Sequence, residues 1–275
     1  MSPRNGALLA TGVVAVSFSA IFIRLAHAPA LSVALYRNAF AAAMVVPLAL
    51  LYRRDELRRI RPGQALIAVG AGALLAVHFA TWIASLSYTT IAASVVLVTA
   101  SPILVAAVSW AAFDERVTRT ALVGILIGLA GAAAAAGYFV AGRKLRQDVS
   151  LLSYVALVYS TCAILLWPAA VVAGVRLTGF PAKTWGLFVL MAVVPQMLGH
   201  TVFNYLLKDV SATVVAIAIM GEPVGSTLLA LVIFGESPPW PALLGGILLL
   251  AGVYVALTAE GRTRRASRQA ITPLE

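Results

Sequence analysis

One spaced pattern of four residues occurs twice in this chain and constrains its fold more than any other feature. A proline is followed 13 residues later by a glutamate, 9 residues after that by a glycine, and 7 further on by a second glycine. Such a repeat predicts two copies of one structural unit. The copies are offset by 121 residues and comprise Pro102, Glu115, Gly124 and Gly131, then Pro223, Glu236, Gly245 and Gly252.

The composition places both units in a lipid membrane. Hydrophobic residues make up 61% of the chain and charged residues 11%, whereas a soluble globular protein carries roughly 25% charged residues. The chain has too little polar surface to cover a water-soluble body, so lipid must be its solvent over most of its area. Duplicated apolar units are typical of secondary transporters, whose substrate site lies between the halves near the bilayer midplane.

The net charge of +10 is concentrated in short clusters and does not form a stripe along one face. The clusters lie at 53–61, 143–146 and 262–268, beside long apolar runs. This distribution is typical of cytoplasmic loops under the positive-inside rule. We therefore expect no nucleic-acid partner, and we expect the N- and C-termini to be cytoplasmic.

A membrane-spanning helix needs about 20 apolar residues, and nine runs approach or exceed that length. Two observations nevertheless favour ten spans. Shifting the first run by 121 residues predicts a helix over 127–148, and a tenth crossing places the cluster 143–146 on the same side as 53–61. Because 120–142 is too short for two full helices, we expect one truncated span there and a short segment missing near Ala132–Gly137. The nine runs lie at 6–27, 31–51, 64–87, 90–112, 119–136, 151–173, 184–207, 212–234 and 241–258.

Ten spans give an all-α polytopic membrane fold built from two repeats of five transmembrane helices. An odd number of helices in each repeat makes the second repeat enter the membrane in the opposite orientation, which is the inverted arrangement of transporters that work by alternating access. We predict a first repeat over 1–136, a second repeat over 137–259 and a basic cytoplasmic tail over 260–275.

The doubled Pro-x12-Glu-x8-Gly-x6-Gly pattern, together with Leu35-Tyr36-Arg37 in the second run, resembles the EamA-type unit of the drug/metabolite transporter superfamily. The resemblance covers nearly the whole chain. It implies ten helices in two inverted halves, transport of small metabolites without ATP, and a bacterial plasma (inner) membrane. The chain looks most like the exporters of amino acids, aromatic ones included. Export of cationic drugs or quaternary ammonium compounds is the alternative.

Glu222 is the carboxylate that lies deepest in any apolar run, and Pro223 follows it directly. The repeat offset aligns this pair with Ser101 and Pro102. A charge in the membrane costs at least about 2.5–3.5 kcal/mol, so an intramembrane glutamate indicates a function. We predict that Glu222 and Ser101 bind the substrate. We expect Pro102 and Pro223 to break their helices and shape the site; a protonated Glu222 bonded between helices is the structural alternative.

Polar side chains recur on one face of two related runs. His78 and Trp82 are four residues apart in the third run, and Gln196, His200 and Asn204 keep that spacing in the seventh. Residues four apart share a helix face, and polar groups avoid lipid. We therefore predict that all five line a substrate cavity. Hydrogen bonding between helices is the alternative explanation.

Arg37 lies six residues inside the second run and allows two interpretations. It could bind a substrate carboxylate through both amino groups, or its side chain could extend to the membrane interface; we favour a structural role. Glu115 and Glu236 are interpreted as helix caps or loop ion pairs. The glycines of the repeated pattern favour close helix packing, and they leave the oligomeric state open between a monomer and a homodimer.

Motifs for enzyme chemistry are absent from the sequence. It contains no GxxxxGK[ST], HExxH, CxxC or GxSxG motif, so we expect no ATPase, metal, cofactor or enzyme activity. The expected partners are a small-molecule substrate and the lipid bilayer. Protons remain a candidate coupling ion through Glu222 or a histidine. A membrane scaffold and an intramembrane enzyme are the competing functional classes.

Overall fold

The described chain is helical throughout. A computed structural model defines residues 2–88, 90–92, 94, 95, 119–238, 240, 243 and 247. Six helical segments among these residues are long and apolar enough to cross a membrane, and no strand occurs among them, which confirms the all-α prediction. The elements are α1 (Pro3–Ser17), α2 (Ser19–Ala26), α3 (Ala30–Tyr52), α4 (Arg54–Arg58), α5 (Pro62–Ser85), α6 (Arg119–Leu145), α7 (Leu151–Val172), α8 (Ala182–Met191), a π-helical segment (Ala192–Thr201), α9 (Val202–Leu206), α10 (Ala212–Ile219) and α11 (Glu222–Phe234).

Helix α6 is continuous, and this corrects one expectation. Its 27 residues extend over roughly 40 Å at about 1.5 Å each, enough for one crossing of the bilayer. The expected segment missing near Ala132–Gly137 is therefore wrong, because one unbroken helix runs through these residues. No charged residue interrupts the sequence from Ala121 to Gly142, and it is rich in alanine, which is the strongest helix former.

Seven of the nine predicted runs correspond to helices or to chains of consecutive helices. The runs at 90–112 and 241–258 lie largely outside the described residues, as do Glu115 and the predicted tail over 260–275. The first run and the run at 212–234 are each interrupted once, but each still forms a single candidate span. These spans have 24 and 23 residues, respectively.

Two basic clusters lie at the same end of the bundle, called the basic end below. The Glu56 carboxylate in α4 accepts a hydrogen bond from the backbone N–H of Ser150 at 2.6 Å, which ties the loop after α3 to the loop after α6. In the last turn of α6, Arg143 Nη1 donates to the carbonyls of Leu207 and Lys208 at 2.5 and 2.7 Å. These carbonyls follow the C-terminus of α9, so the Arg143 guanidinium offsets the negative end of that helix.

An ion pair joins α2 to the loop after α11 at the opposite end of the bundle. Arg24 Nη1 contacts Glu236 Oε2, and Glu236 Oε1 accepts a hydrogen bond from the backbone N–H of Ile91 at 3.0 Å. Glu236 therefore forms the loop ion pair that one of the two sequence interpretations expected.

Helix α5 packs closely against two neighbours because glycines lie at the contacts. A Cβ atom at Gly72 would lie 2.6 Å from Thr161 Cβ in α7. A Cβ atom at Gly131 in α6 would lie 2.7 Å from Thr81 Oγ1. Gly137 faces Leu74 farther along the same contact, so α5 and α6 run antiparallel.

Regular helix geometry is interrupted in three of the spans. The first span breaks at Phe18, between α1 and α2, and the span at 212–234 breaks at Met220–Gly221, between α10 and α11. The hydroxyl of Ser226 donates to the carbonyl of Ser17 at 3.0 Å, which joins these two spans. The third interruption is the π-helical segment, which contains Pro195. Departures of this kind within membranes commonly line functional sites.

Candidate functional site

A cavity in the bundle is lined by residues of α1–α2, α3, α5, α6, the π-helical segment, α9 and α10–α11. Its volume is about 210 Å³, which at about 30 Å³ per water equals roughly seven waters or a solute of on the order of ten non-hydrogen atoms. Most of its wall is apolar, with Val16, Phe139 and Phe203 among the lining residues. The lining residues with polar atoms are Ser19, Arg37, His78, Trp82, His200 and Glu222.

His78 and Trp82 form one wall, as their four-residue spacing in α5 predicted. Their rings stack with a centroid separation of 6.0 Å and an interplanar angle of 6°. His78 Nδ1 lies 3.0 Å from the carbonyl oxygen of Gly131, and a carbonyl only accepts, so Nδ1 carries the proton and Nε2 is free to accept. The Trp82 indole N–H is buried and has no hydrogen-bond partner among the described residues.

His200 lies beside His78 in the cavity wall, with 6.3 Å between the ring centroids. Its ring is parallel to that of Phe139, and its Nδ1 atom is buried with no partner among the described residues. The π-helical segment thus carries His200 to the cavity wall. His78 and His200, which occupy nearly corresponding positions in the two repeats, are therefore neighbours in the structure.

Gln196 and Asn204 do not line the cavity and lie behind its wall. Gln196 Oε1 accepts a hydrogen bond from Arg37 Nε at 2.6 Å. Asn204 Nδ2 donates to the hydroxyl of Tyr138 at 2.5 Å. Both amides therefore hold other side chains in place, which is the role that the alternative interpretation gave them.

Arg37 is the cavity residue that sequence reasoning undervalued. Its side chain is fully buried, so extension to the membrane interface is excluded. Nε donates to Gln196, Nη1 donates to Ser19 Oγ at 2.7 Å, and the guanidinium lies 4.1 Å from the centroid of the Phe79 ring. The Nη2 atom is buried and has no partner among the described residues. The signal for this position was a polar cluster, Arg37-Asn38, in an otherwise apolar run.

Glu222 begins α11 directly after the break in its span and is 9% exposed. It lines the same cavity as Arg37. Pro223 occupies the second position of α11, where its missing N–H breaks no hydrogen bond of that helix. The predicted helix break beside this proline is therefore present. Ser101 and Pro102 lie outside the described residues, so their alignment with Glu222 and Pro223 stays a prediction.

No group of three or more metal-ligating side chains occurs among the residues that the structure describes. His78, His200 and Glu222 contribute polar atoms to one cavity, and Glu222 lies beside the break in the span at 212–234. The Arg37 guanidinium and the Glu222 carboxyl group therefore share one cavity whose wall is mostly apolar.

Comparison with known proteins identifies the family. Residues 5–135 and 124–258 each match the EamA-like transporter family, and the two matches share residues 124–135, which lie in α6. A solved structure described as "Crystal structure of protein" has a TM-score of 0.69 at 17% identity, with 96% of this chain and 99% of that chain covered, which shows a shared fold. No curated protein matches the sequence. With both repeats carrying the same family pattern, the chain belongs to the EamA-like transporter family.

Proposed function

We propose that this protein is a secondary transporter that exports small amphipathic metabolites, with aromatic or other neutral amino acids as its cargo. Membership of a transporter family and six apolar spanning segments among the described residues establish an integral membrane protein. We further propose that the protein exports this cargo across the plasma (inner) membrane of a bacterium and that both of its termini are cytoplasmic.

The observation that carries the proposal is a guanidinium group and a carboxyl group in one central cavity. Arg37 and Glu222 both line it, and both are buried. The one ion pair within 4.0 Å in the described part of the chain joins Arg24 to Glu236, so Arg37 and Glu222 do not neutralise each other by direct contact. Burying each charge is costly, and a solute with complementary charges would offset that cost when it binds.

Alternating access is the proposed mechanism, with the helices of the repeat at 1–136 rocking against those of the repeat at 137–259 and with α6 continuous across their boundary. Contacts at both ends of the bundle would form and break in turn. At the basic end, Arg4 Nη2 donates to the hydroxyl of Tyr205 at 3.1 Å. At the opposite end, Arg24 contacts Glu236. Ser101 and Pro102 are proposed to complete the cavity in the first repeat, where Glu222 and Pro223 serve the second.

Glu222 is also the proposed proton carrier, should a proton gradient drive transport. A carboxyl group that faces both the cavity and an apolar wall can exchange a proton when the cavity opens to water. Flux that is indifferent to an imposed pH gradient would remove this role and leave the transport proposal in place.

A cationic drug is the competing cargo, because Glu222 and the aromatic walls would also suit a cation. Arg37 disfavours that cargo, since its buried guanidinium lines the same small cavity and repels a second positive charge. A scaffold protein has no use for a cavity of this volume that contains a buried guanidinium and a buried carboxyl group, so the transporter is the better explanation.

The test is uptake of labelled amino acids and quaternary ammonium compounds into proteoliposomes. We expect amino acid flux in the wild type, and a loss of at least tenfold in Glu222→Gln and in Trp82→Ala, because each removes a group from the cavity wall. The controls are Asp209→Asn, in an exposed loop, and Trp167→Ala, whose side chain is 59% exposed on the outer surface of the bundle. Equal flux in all five proteins would refute the proposed site.

A further inference from the structure

The buried guanidinium of Arg37 is fixed in place before any ligand arrives. Gln196 Oε1 holds Nε at 2.6 Å and Ser19 Oγ holds Nη1 at 2.7 Å. The Phe79 ring covers one face at 4.1 Å. A guanidinium with a single orientation loses little entropy when it binds a planar carboxylate.

One edge of that guanidinium is left for a ligand. Nη2 carries two N–H donors, and it is buried without a hydrogen-bond partner among the described residues. A buried donor without a partner costs about 1–3 kcal/mol, and more when it is charged. Arg37 lines the central cavity, so a solute there can supply the missing acceptor. Carboxylates form the shortest and strongest hydrogen bonds with guanidinium groups.

Glu222 supplies a carboxyl group in the same chamber. It lies in the first turn of α11, on a different element from Arg37 in α3, and the two do not form an ion pair within 4.0 Å. An acceptor-only carboxylate suits an ammonium group. A solute that bears a carboxylate and an ammonium would therefore satisfy both residues at once.

The rest of the wall suits an uncharged side group. Trp82, Phe139 and Phe203 line the cavity, and the wall is predominantly apolar. The buried Nε1 of Trp82 and Nδ1 of His200 add two further polar atoms without partners in the described part of the chain. A small zwitterion with an apolar or aromatic side group matches this distribution of charges and apolar surface.

We infer that Arg37 binds the carboxylate and Glu222 binds the ammonium of a small zwitterionic solute, so that the cavity takes zwitterions in preference to cations or anions. This inference rests on the proposed transport function for its physiological meaning and on the geometry of the cavity for its chemistry. Ser19 and Gln196 are positioning residues, because they act on the ligand through the guanidinium.

Binding to the purified full-length protein in detergent tests the inference without requiring transport. The ligands are two sets of three compounds, and each set contains a zwitterion, an amine and an acid with the same carbon skeleton. One set is phenylalanine, phenethylamine and 3-phenylpropionate. The other is leucine, isoamylamine and 4-methylpentanoate. We expect the wild type to bind the zwitterion at least tenfold more tightly than either relative in at least one set.

The variants assign each charge to its residue. Arg37→Gln should weaken zwitterion binding at least tenfold relative to the wild type. Its affinity for the amine should stay within about twofold of the wild-type value or increase, because the repulsion between the guanidinium and the amine is removed. Glu222→Gln should weaken zwitterion binding and spare the acid. Arg37→Lys keeps the positive charge but loses the planar guanidinium, and Ser19→Ala removes a hydrogen bond that holds the guanidinium in place. The affinity of both variants for the zwitterion should therefore lie between that of Arg37→Gln and that of the wild type. Thermal unfolding of each variant shows whether the fold is intact.

Several outcomes would overturn the inference. They are binding of none of the six compounds by the wild type, equal weakening of zwitterion and amine in Arg37→Gln, and unchanged zwitterion binding in that variant. Should Arg37→Gln fail to fold, Ser19→Ala with full zwitterion affinity would also count against it. Failure of the transport proposal gives a different result: Arg37-dependent zwitterion binding with no flux in proteoliposomes. Flux of amino acids that is indifferent to Arg37 leaves transport standing and refutes the inference alone.

Discussion

Replacing Gly72 with alanine should destabilise the folded protein, because α5 has no room for a methyl group where it crosses α7. The new Cβ would lie 2.6 Å from Thr161 Cβ and 2.8 Å from the backbone carbonyl oxygen of Val158. The carbonyl belongs to the α7 backbone and cannot rotate away. Overpacking of this kind costs about 1–3 kcal/mol, against a gain of about 1 kcal/mol in helix propensity, so we expect a net loss of up to about 2 kcal/mol for Gly72→Ala.

Gly70 provides a matched control two residues away in the same helix. A Cβ atom there would have no neighbour within 4 Å, and alanine is a better helix former than glycine by about 1 kcal/mol. Gly70→Ala should therefore be neutral or stabilising. The two alanine variants add the same atoms to the same helix and share the gain in helix propensity, so their difference of about 1–3 kcal/mol isolates the contact with α7.

Reversible unfolding in mixed dodecylmaltoside and SDS micelles measures this difference, with helix content followed by far-UV circular dichroism. Gly72→Ala should unfold at a lower SDS fraction than the wild type, and Gly70→Ala at the same fraction or higher. If both variants unfold together, or Gly72→Ala proves the more stable, the close packing of α5 on α7 is refuted.

Three further predictions concern other parts of the bundle. Cys162 is the single cysteine and is fully buried, so N-ethylmaleimide should label it only after SDS unfolds the protein; rapid labelling in dodecylmaltoside alone would contradict its placement. A double-mutant cycle with Arg24→Gln and Glu236→Gln should give a coupling of about 0.2–1 kcal/mol in the same unfolding assay, since the pair is partly exposed; zero coupling would show that the contact adds no stability. Arg143→Gln removes the charge that caps α9 and should cost about 0.3–1 kcal/mol, and unfolding unchanged from that of the wild type would exclude this capping role.

Much of the fold followed from local sequence. Runs of about 20 apolar residues can only cross the membrane as helices, because hydrocarbon offers no partner for backbone groups. The spans and the repeat could therefore be read residue by residue. The failure lay at 120–142, where a missing segment was expected near Ala132–Gly137 and the uninterrupted alanine-rich sequence forms one continuous helix. Family matches to both repeats include residues 124–135, which explains why one continuous helix appeared to be needed twice.

The candidate site was predictable only in part. The four-residue spacing of His78 and Trp82 placed both on one wall, since α5 is a regular helix. The same spacing did not place Gln196, His200 and Asn204 together at the cavity, because the first two lie in a π-helical segment and the third lies beyond it. A π-helix has more residues per turn than an α-helix, so the faces on either side of it lose their register.

The sequence by itself determined that this is a duplicated, all-helical membrane protein with an intramembrane glutamate beside a proline. Those properties depend on hydrophobicity and on spacing along one chain. Only the tertiary structure decided that Arg37 faces a cavity and not the membrane interface. Its surroundings come from α1–α2, α5 and the π-helical segment, through Ser19, Phe79 and Gln196. A side chain's pattern in sequence shows which face of a helix it occupies, but the burial and charge it experiences depend on the helices packed against that face.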